Sequence, residues 1–218
     1  MKSSKLSVAI VATIVVLYAA AASAAGVDMK DPRRAIGAED DIRIDALILQ
    51  EALSSQSGVH VTYQIHNQTG DAVAIADRIT ETTYDPESQT ITLSIGSEVP
   101  ASGAMPHVVV IGPGETKVLS GGAMIRVQVP SARTPWTNVP RYVQIKVNVL
   151  RNLKPFERLI EQQRATQPEA QATTVAQKLD DALFEKWVES NDSIFLNSVP
   201  VRWEASRNPT SAETKGNF

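Results

Sequence analysis

Seven short runs of alternating apolar and polar residues constrain the fold of this chain more than any other feature of its sequence. Residues 59–65 read VHVTYQI and residues 142–149 read YVQIKVNV, each with apolar side chains at alternate positions. Successive side chains of a strand point to opposite faces, so each run predicts a strand with one face in a core and the other in water. The other five runs are DIRIDALIL, AVAIADRI, TITLSI, HVVVI and AMIRVQV, separated by segments rich in Gly, Pro, Asn and Asp.

The order of these runs predicts an antiparallel β-sandwich over residues 41–150. No helical run interrupts them, which disfavours a parallel α/β sheet, and many short strands in a segment of this length are typical of sandwich domains. The inward positions of the alternation form the predicted core, which contains Ile44, Val61, Tyr63, Ile65, Ile91, Leu93, Val127, Val143, Ile145 and Val147.

Two turns carry a resemblance to a known class of domain. One strand ends at Asn67 before the turn residues QTGD, and a later pair of strands is joined by Pro113, Gly114 and Glu115. With these turns, residues 41–150 resemble bacterial periplasmic immunoglobulin-like domains, and the resemblance implies an immunoglobulin-like β-sandwich. A narrower version is the periplasmic pilus chaperone, in which two basic residues hold the carboxyl end of a partner. Arg43 and Lys146 lie on the corresponding runs, but a predicted helix stands where such chaperones have a second sandwich.

Residues 151–203 predict a helical extension that ends in a strand. PFERLIEQQRATQ predicts a short helix that starts at Pro155. Residues 169–189 predict a longer helix with an apolar stripe of Val175, Leu179, Leu183 and Trp187. Residues 194–203 alternate again, and we expect this strand to cover an edge of its own sandwich with Phe195, Val199, Val201 and Trp203 buried. The alternative is that it completes the sheet of another subunit. Residues 204–218 predict a disordered tail.

The N-terminal residues predict export. Lys2 and Lys5 precede an apolar run, and Ala22, Ser23 and Ala24 have the small side chains that signal peptidase requires, so residues 1–24 predict a signal peptide. The alternative is an uncleaved anchor, although the apolar run before the alanines is shorter than the roughly 20 residues of a spanning helix. After cleavage we expect no membrane span. Residues 25–40 have no apolar period and predict a flexible linker.

Composition limits both the compartment and the partners. The chain has no cysteine, and small secreted eukaryotic domains usually depend on disulfides, so the predicted location is the bacterial periplasm or the medium outside a bacterial cell. Cleavage removes two lysines and no acidic residue, which leaves an acidic protein. Nucleic-acid binding depends on clustered positive charge, so we expect no nucleic-acid partner.

No motif predicts catalysis, a metal or a cofactor. His60 and His66 share a strand face but stand about 20 Å apart at strand spacing. The sequence LSGGA lacks the glycine pattern of a nucleophile elbow, and IGPGE lacks the lysine and helix of a phosphate loop. We therefore predict a protein that is not an enzyme. An enzyme or transport component with a site hidden from the sequence remains the alternative.

The candidate partner-binding residues are two arginines and two tryptophans. Arg133, Trp136 and Arg141 lie in the loop SARTPWTNVPRY, which two prolines stiffen, and Trp203 lies in the terminal strand. Large aromatic and arginine side chains in stiff loops are typical of interaction hot spots. The alternative for Trp136 is that it packs into the end of the sandwich. Together these features predict an exported, non-enzymatic envelope protein that binds or helps assemble another protein, which is either a different envelope protein or a second copy of this chain.

Overall fold

The computed structural model describes residues 30–100, 103–127, 139–165 and 177–204. The fold is mainly β. The strands are β1 (Arg34–Glu39), β2 (Ile42–Ile48), β3 (Ala52–Leu53), β4 (Gly58–Asn67), β5 (Val73–Ala76), β6 (Ile79–Asp85), β7 (Thr90–Ile95), β8 (Ala104–Met105), β9 (Val108–Ile111), β10 (Thr116–Met124), β11 (Tyr142–Leu150), β12 (Gln177–Lys178), β13 (Asn191–Phe195), β14 (Val199–Pro200) and β15 (Arg202–Trp203). The helices are α1 (Glu157–Ala165), preceded by a 3-10 turn (Lys154–Phe156), and α2 (Asp181–Ser190).

The strands form two main sheets around one core. The first sheet has the order β1-β2-β4-β10, and the second has the order β6-β7-β11-β5-β9, with β13 and β14 also paired with β11. All ten predicted core residues are buried, and most are fully excluded from solvent. The alternation in the sequence therefore identified the inward face of every strand on which those residues lie.

The predicted antiparallel arrangement of residues 41–150 is wrong at one place, because β7 pairs with β11 in parallel. Outside that range, β15 also pairs with β3 in parallel. Antiparallel neighbours are joined easily by a hairpin, whereas parallel ones need a long connection. The chain between β7 and β11 supplies that connection, since it includes β10, which belongs to the other sheet. Both strands therefore enter the second sheet from the same end.

The predicted flexible linker over residues 25–40 is wrong for residues 34–39, which form β1 and pair with β2. The inward-facing residues of this strand are Ala35 and Gly37, which are too small to produce an apolar period. The small size of Gly37 is required. A Cβ at this position would lie 2.9 Å from the carbonyl oxygen of Phe195 and 3.1 Å from the Leu196 side chain.

The predicted helix over residues 169–189 is shorter in the structure and begins at Asp181. Asp180 has an extended backbone, and its side chain accepts a hydrogen bond from the amide of Leu183 at 2.8 Å, which is the geometry of a helix N-cap. Leu179 therefore precedes the helix, and Val175 lies outside the described residues. Leu179 and Trp187 are buried, and Leu183 is half-buried, in a second apolar cluster beside Phe156.

The C-terminal residues pair with their own sandwich, as expected. β13 lies antiparallel to β11, with Ile194 opposite Val147 and Phe195 opposite Lys146. The expected burial of Phe195 is wrong, since its side chain is 54% exposed and Ile194 faces the core instead. Val199 is buried, whereas Val201 and Trp203 are only partly buried against the core. No helix in the described ranges has the length and apolarity needed to cross a membrane.

Candidate functional site

The sandwich presents its connections at two ends. The connections at 40–41, 68–72 and 112–115 lie at one end, which we call the turn end. Residues 49–57, 86–89, 125–127, 139–141 and 196–204 lie at the other, which we call the loop end. Strand directions fix this division, because β2 and β10 run antiparallel to β4, and β7 runs parallel to β11.

Arg141 is held at the loop end by its backbone. Its amide donates to the carbonyl of Gln89 at 2.8 Å, and its own carbonyl accepts from the amide of Val201 at 2.9 Å. Gln89 has a positive φ of 56°, a conformation that is uncommon for residues other than glycine. The Arg141 side chain is exposed, so its guanidinium is free to reach a partner while the backbone stays fixed.

Trp203 lies at the same end in the short strand β15. It stands opposite Leu53 of β3, and the next amide, that of Glu204, donates to the Leu53 carbonyl at 2.8 Å. The Trp203 ring is partly buried against the main core. Trp203 thus covers core residues with part of its surface and leaves the rest available to a partner.

Arg133 and Trp136 lie outside the described residues. Both flanks of their segment, however, are at the loop end. The amide of Ile125 donates to the Ser57 carbonyl at 2.9 Å, and Pro140 is buried next to Arg141. The chain therefore leaves the sandwich and returns to it at the end that carries Arg141 and Trp203.

Arg126 is a residue that the sequence analysis missed. It is exposed, and its amide lies 3.5 Å from the Thr82 hydroxyl of the second sheet. Neither Arg126 nor Arg141 forms an ion pair with another described residue. One sequence feature could have identified Arg126: residues 126–141 contain three arginines and no acidic residue.

Arg43 and Lys146, the pair suggested by the chaperone resemblance, are not brought together. Arg43 lies on β2 in the first sheet and bonds to Asp45 at 2.9 Å, whereas Lys146 lies on β11 in the second sheet and pairs with Glu98. The Lys146 ammonium and the Ser193 hydroxyl hold the pKa of the Glu98 carboxyl below its usual value. The two cations therefore lie on separate sheets, and each is paired with an acidic residue: Arg43 shares Asp45 with Arg34, and Lys146 pairs with Glu98.

One narrow crevice lies where α2 covers the second sheet, between residues that include Ala74, Gly96 and Trp187, and it has no room for a water-sized molecule. Its polar groups are already bonded within the protein. The Trp187 indole and the Asn191 amide both donate to the Ser97 carbonyl, at 3.3 Å and 2.9 Å. A ligand would find no open hydrogen-bonding group there, so the crevice is a packing feature of α2.

The histidines are spread over the fold. His60 and His66 lie on one face of β4, and His107 bonds to Asp77 at 3.1 Å near another strand. No group of three or more His, Asp and Glu side chains in the described ranges is arranged to hold a metal ion. Tyr63 is fully buried with no hydrogen-bond partner for its hydroxyl. Burial and the nearby Asp77 charge raise the pKa of Tyr63, so this phenol stays protonated.

No protein-family model, curated protein or solved structure matches the chain.

Proposed function

We propose that this chain is an exported, non-enzymatic protein of the bacterial cell envelope that binds another protein through its loop end. The partner is a different envelope protein or a second copy of the chain. We further propose that the sandwich is immunoglobulin-like, a class of fold in which loops gathered at one end commonly form the binding surface.

The observation that carries the proposal is that Arg126, Arg141 and Trp203 lie at the same end of the sandwich. Arg126 and Arg141 are exposed and form no ion pair with described residues, so their guanidinium donors are available to carboxylates or carbonyls of a partner. Trp203 adds a partly exposed aromatic surface. Arginine and tryptophan are among the residues that most often dominate the free energy of protein binding.

Export is supported by the N-terminal sequence, and a bacterial envelope by the lack of cysteine. Intact mass of the protein from its native host tests this part, and we expect cleavage after Ala24. A mass that retains residues 1–24 would replace the periplasmic proposal by one of a membrane-anchored protein.

The binding surface is tested with a charge-reversed variant, Arg126→Glu with Arg141→Glu. The matched control is Arg158→Glu with Arg164→Glu, because these two arginines are equally exposed but lie on α1. Tagged parent, variant and control are incubated with the same envelope extract, and captured proteins are quantified by mass spectrometry. Sedimentation measures self-association in parallel.

We expect the loop-end variant to lose at least about tenfold of its specific partner signal, equivalent to the ~1.4 kcal/mol that one hot-spot residue readily exceeds. The control should keep the signal. If both variants capture the same proteins as the parent, with unchanged sedimentation, the loop end is not the binding surface.

A further inference from the structure

A histidine and a methionine lie on neighbouring strands, on the outer face of the first sheet. In the pairing of β4 with β10, His60 stands opposite Gly122, and Met124 stands opposite Gly58. Both glycines lack a side chain that would fill the space between the strands. The surface therefore has a gap into which the imidazole and the thioether can extend.

Contacts across this gap define its geometry. A Cβ placed on Gly122 would lie 3.1 Å from Nε2 of His60, so the ring extends across the neighbouring strand. A Cβ placed on Gly58 would lie 3.9 Å from Cε1 of His60 and 3.9 Å from Sδ of Met124. Both side chains thus border the open space above Gly58. Methionine has three rotatable side-chain bonds, so a small rotation brings its sulfur and a ring nitrogen to a single ion.

The chemistry of the two groups selects the ion. Thioether sulfur is a soft ligand that favours Cu(I), and imidazole is also a good copper ligand. The chain has no cysteine to compete for a soft ion. Of the two described methionines, Met105 is buried at 4% exposure, whereas Met124 is 51% exposed and accessible. We propose that His60 and Met124 form a binding site for a soft monovalent cation, Cu(I) or Ag(I).

Gln50 orients the imidazole. Its side-chain oxygen accepts from the backbone amide of His60 at 2.7 Å, which turns its NH2 group to Nδ1 of the ring at 3.4 Å. In that arrangement the ring hydrogen is on Nε2, whereas metal binding at Nε2 moves the hydrogen to Nδ1. A contact of 3.4 Å is long for a hydrogen bond, so it opposes this change only weakly.

The simpler role for these two neighbouring side chains is packing of the sulfur beside the ring, which requires no ion. A substitution at Gln50 distinguishes metal binding from packing. A carboxylate at this position accepts the Nδ1 hydrogen of a metal-bound imidazole and raises its basicity. Gln50→Glu should therefore strengthen metal binding, whereas a packing role gives no reason for any change.

The experiment titrates the purified protein with Ag(I) nitrate in chloride-free buffer, followed by calorimetry. Cu(I) is then measured by competition with bicinchoninate without oxygen. We expect one ion per chain, and His60→Ala and Met124→Leu should each weaken binding by about tenfold or more, the scale on which even outer-shell partners act. Gln50→Glu should bind more tightly than the parent.

His66→Ala is the matched control, because His66 shares the strand face with His60 but contacts Thr116 rather than a methionine. Thermal melting without metal confirms that each variant is folded, and Met124→Leu keeps the side-chain volume. Binding that is absent in the parent, or that persists unchanged in either His60→Ala or Met124→Leu, would overturn the proposal. The measurement needs no protein partner, so its outcome is independent of the partner-capture result.

Discussion

The turn end and the loop end of the sandwich are stabilised in different ways. At the turn end, Asn67 is fully buried, and its side-chain amide donates to the carbonyls of Asp71, Ile111 and Gly112 at 2.9, 3.1 and 3.1 Å. Its backbone amide donates to the Glu115 carbonyl at 3.0 Å, and its carbonyl accepts from Gly114 at 2.7 Å. One side chain therefore ties the two turns that suggested an immunoglobulin-like domain.

The other hairpin of the turn end is equally compact. Asp40 and Asp41 have positive φ angles of 44° and 61°, as a two-residue hairpin of type I′ requires, and the Asp41 carbonyl accepts from Gln68 at 2.8 Å. Several backbone groups of these turns are bonded to neighbours, including the amides of Thr69, Gly114 and Glu115. The exposed carboxylates of Asp41 and Asp71, however, form no ion pair with described residues, so the unpaired charges of this end are negative.

The loop end depends on residues that are distant in the sequence. Val201 bonds to Arg141, and Glu204 bonds to Leu53, so the last described residues hold segments from the first and third quarters of the chain. Two arginines there form no ion pair with described residues. The end assembled from distant segments therefore carries unpaired arginines, whereas the end built from short turns carries unpaired carboxylates.

The largest expected effect comes from removing the segment that closes the loop end. Ending the chain after Ser190 deletes Ile194, Leu196 and Val199 from the core. Truncating a buried aliphatic side chain costs about 2–5 kcal/mol, so losing three such residues approaches the ~5–15 kcal/mol of a whole domain. We expect an unfolded or aggregated product by circular dichroism and sedimentation.

The matched control for this truncation ends the chain after Glu204, which keeps β13–β15 and removes only the tail. It should melt like the parent. A stable, monomeric product from the shorter chain would mean that the turn end and the two sheets fold without the C-terminal segment, and the contrast between the two ends would be wrong.

A smaller loss of stability is expected when either of two asparagines, Asn67 or Asn197, is replaced by alanine. Asn67→Ala leaves buried carbonyls at the turn end without their donor, which should cost about 3 kcal/mol. Asn197 accepts from the Ile36 amide at 2.6 Å but is exposed, so water replaces it and Asn197→Ala should cost about 1 kcal/mol or less. Urea denaturation measures both. Equal losses would show that the buried bonds of Asn67 do not distinguish the turn end.

The smallest effect concerns pH at the turn end. The Gly112 amide donates a hydrogen bond to the carboxylate of Glu115 at 2.6 Å. This bond is the main reason that the pKa of Glu115 is below its usual value of 4.5, and Lys117 lowers the pKa further. Since the folded pKa is below the unfolded one, this stabilisation is present above pH 4.5 and is lost as the pH falls through the folded pKa.

Carbon-detected NMR titration of the Glu115 carboxyl group should give a pKa below 4.5, and Glu115→Gln should make unfolding slightly less sensitive to acid. A Glu115 pKa above 4.5 would contradict the expected sign. Glu81→Gln is the matched control, because Glu81 is exposed on β6 and no described hydrogen bond or ion pair involves its side chain.

The sequence predicted most of the strands and the core, because alternation is recorded locally in residues such as Val61 and Ile145. It missed β1, since its inward residues Ala35 and Gly37 carry no apolar signal. It placed the start of α2 too early, because the apolar spacing continues through Leu179 while the cap at Asp180 fixes the actual start. It also predicted Phe195 as buried, whereas the register with β11 points Ile194 inwards.

The candidate site was predictable only in part. Arg141 and Trp203 were identified by residue type, but no feature of the sequence indicates that they meet, because 62 positions and α2 separate them. Arg126 was missed, and the gap shared by His60 and Met124 depends on which residues stand opposite two glycines. These are properties of strand pairing, which a single run does not encode.

By itself, the sequence determined which residues form strands and which side of most strands faces the core, because side-chain direction repeats every two residues along a single segment. Only the tertiary structure decided the order of strands, the parallel pairing of β7 with β11, and the segments that meet at the loop end. The physical reason is that pairing between distant strands depends on the total free energy of the packed core. That free energy is a property of the whole chain, and it placed Arg126, Arg141 and Trp203 at one end of the sandwich.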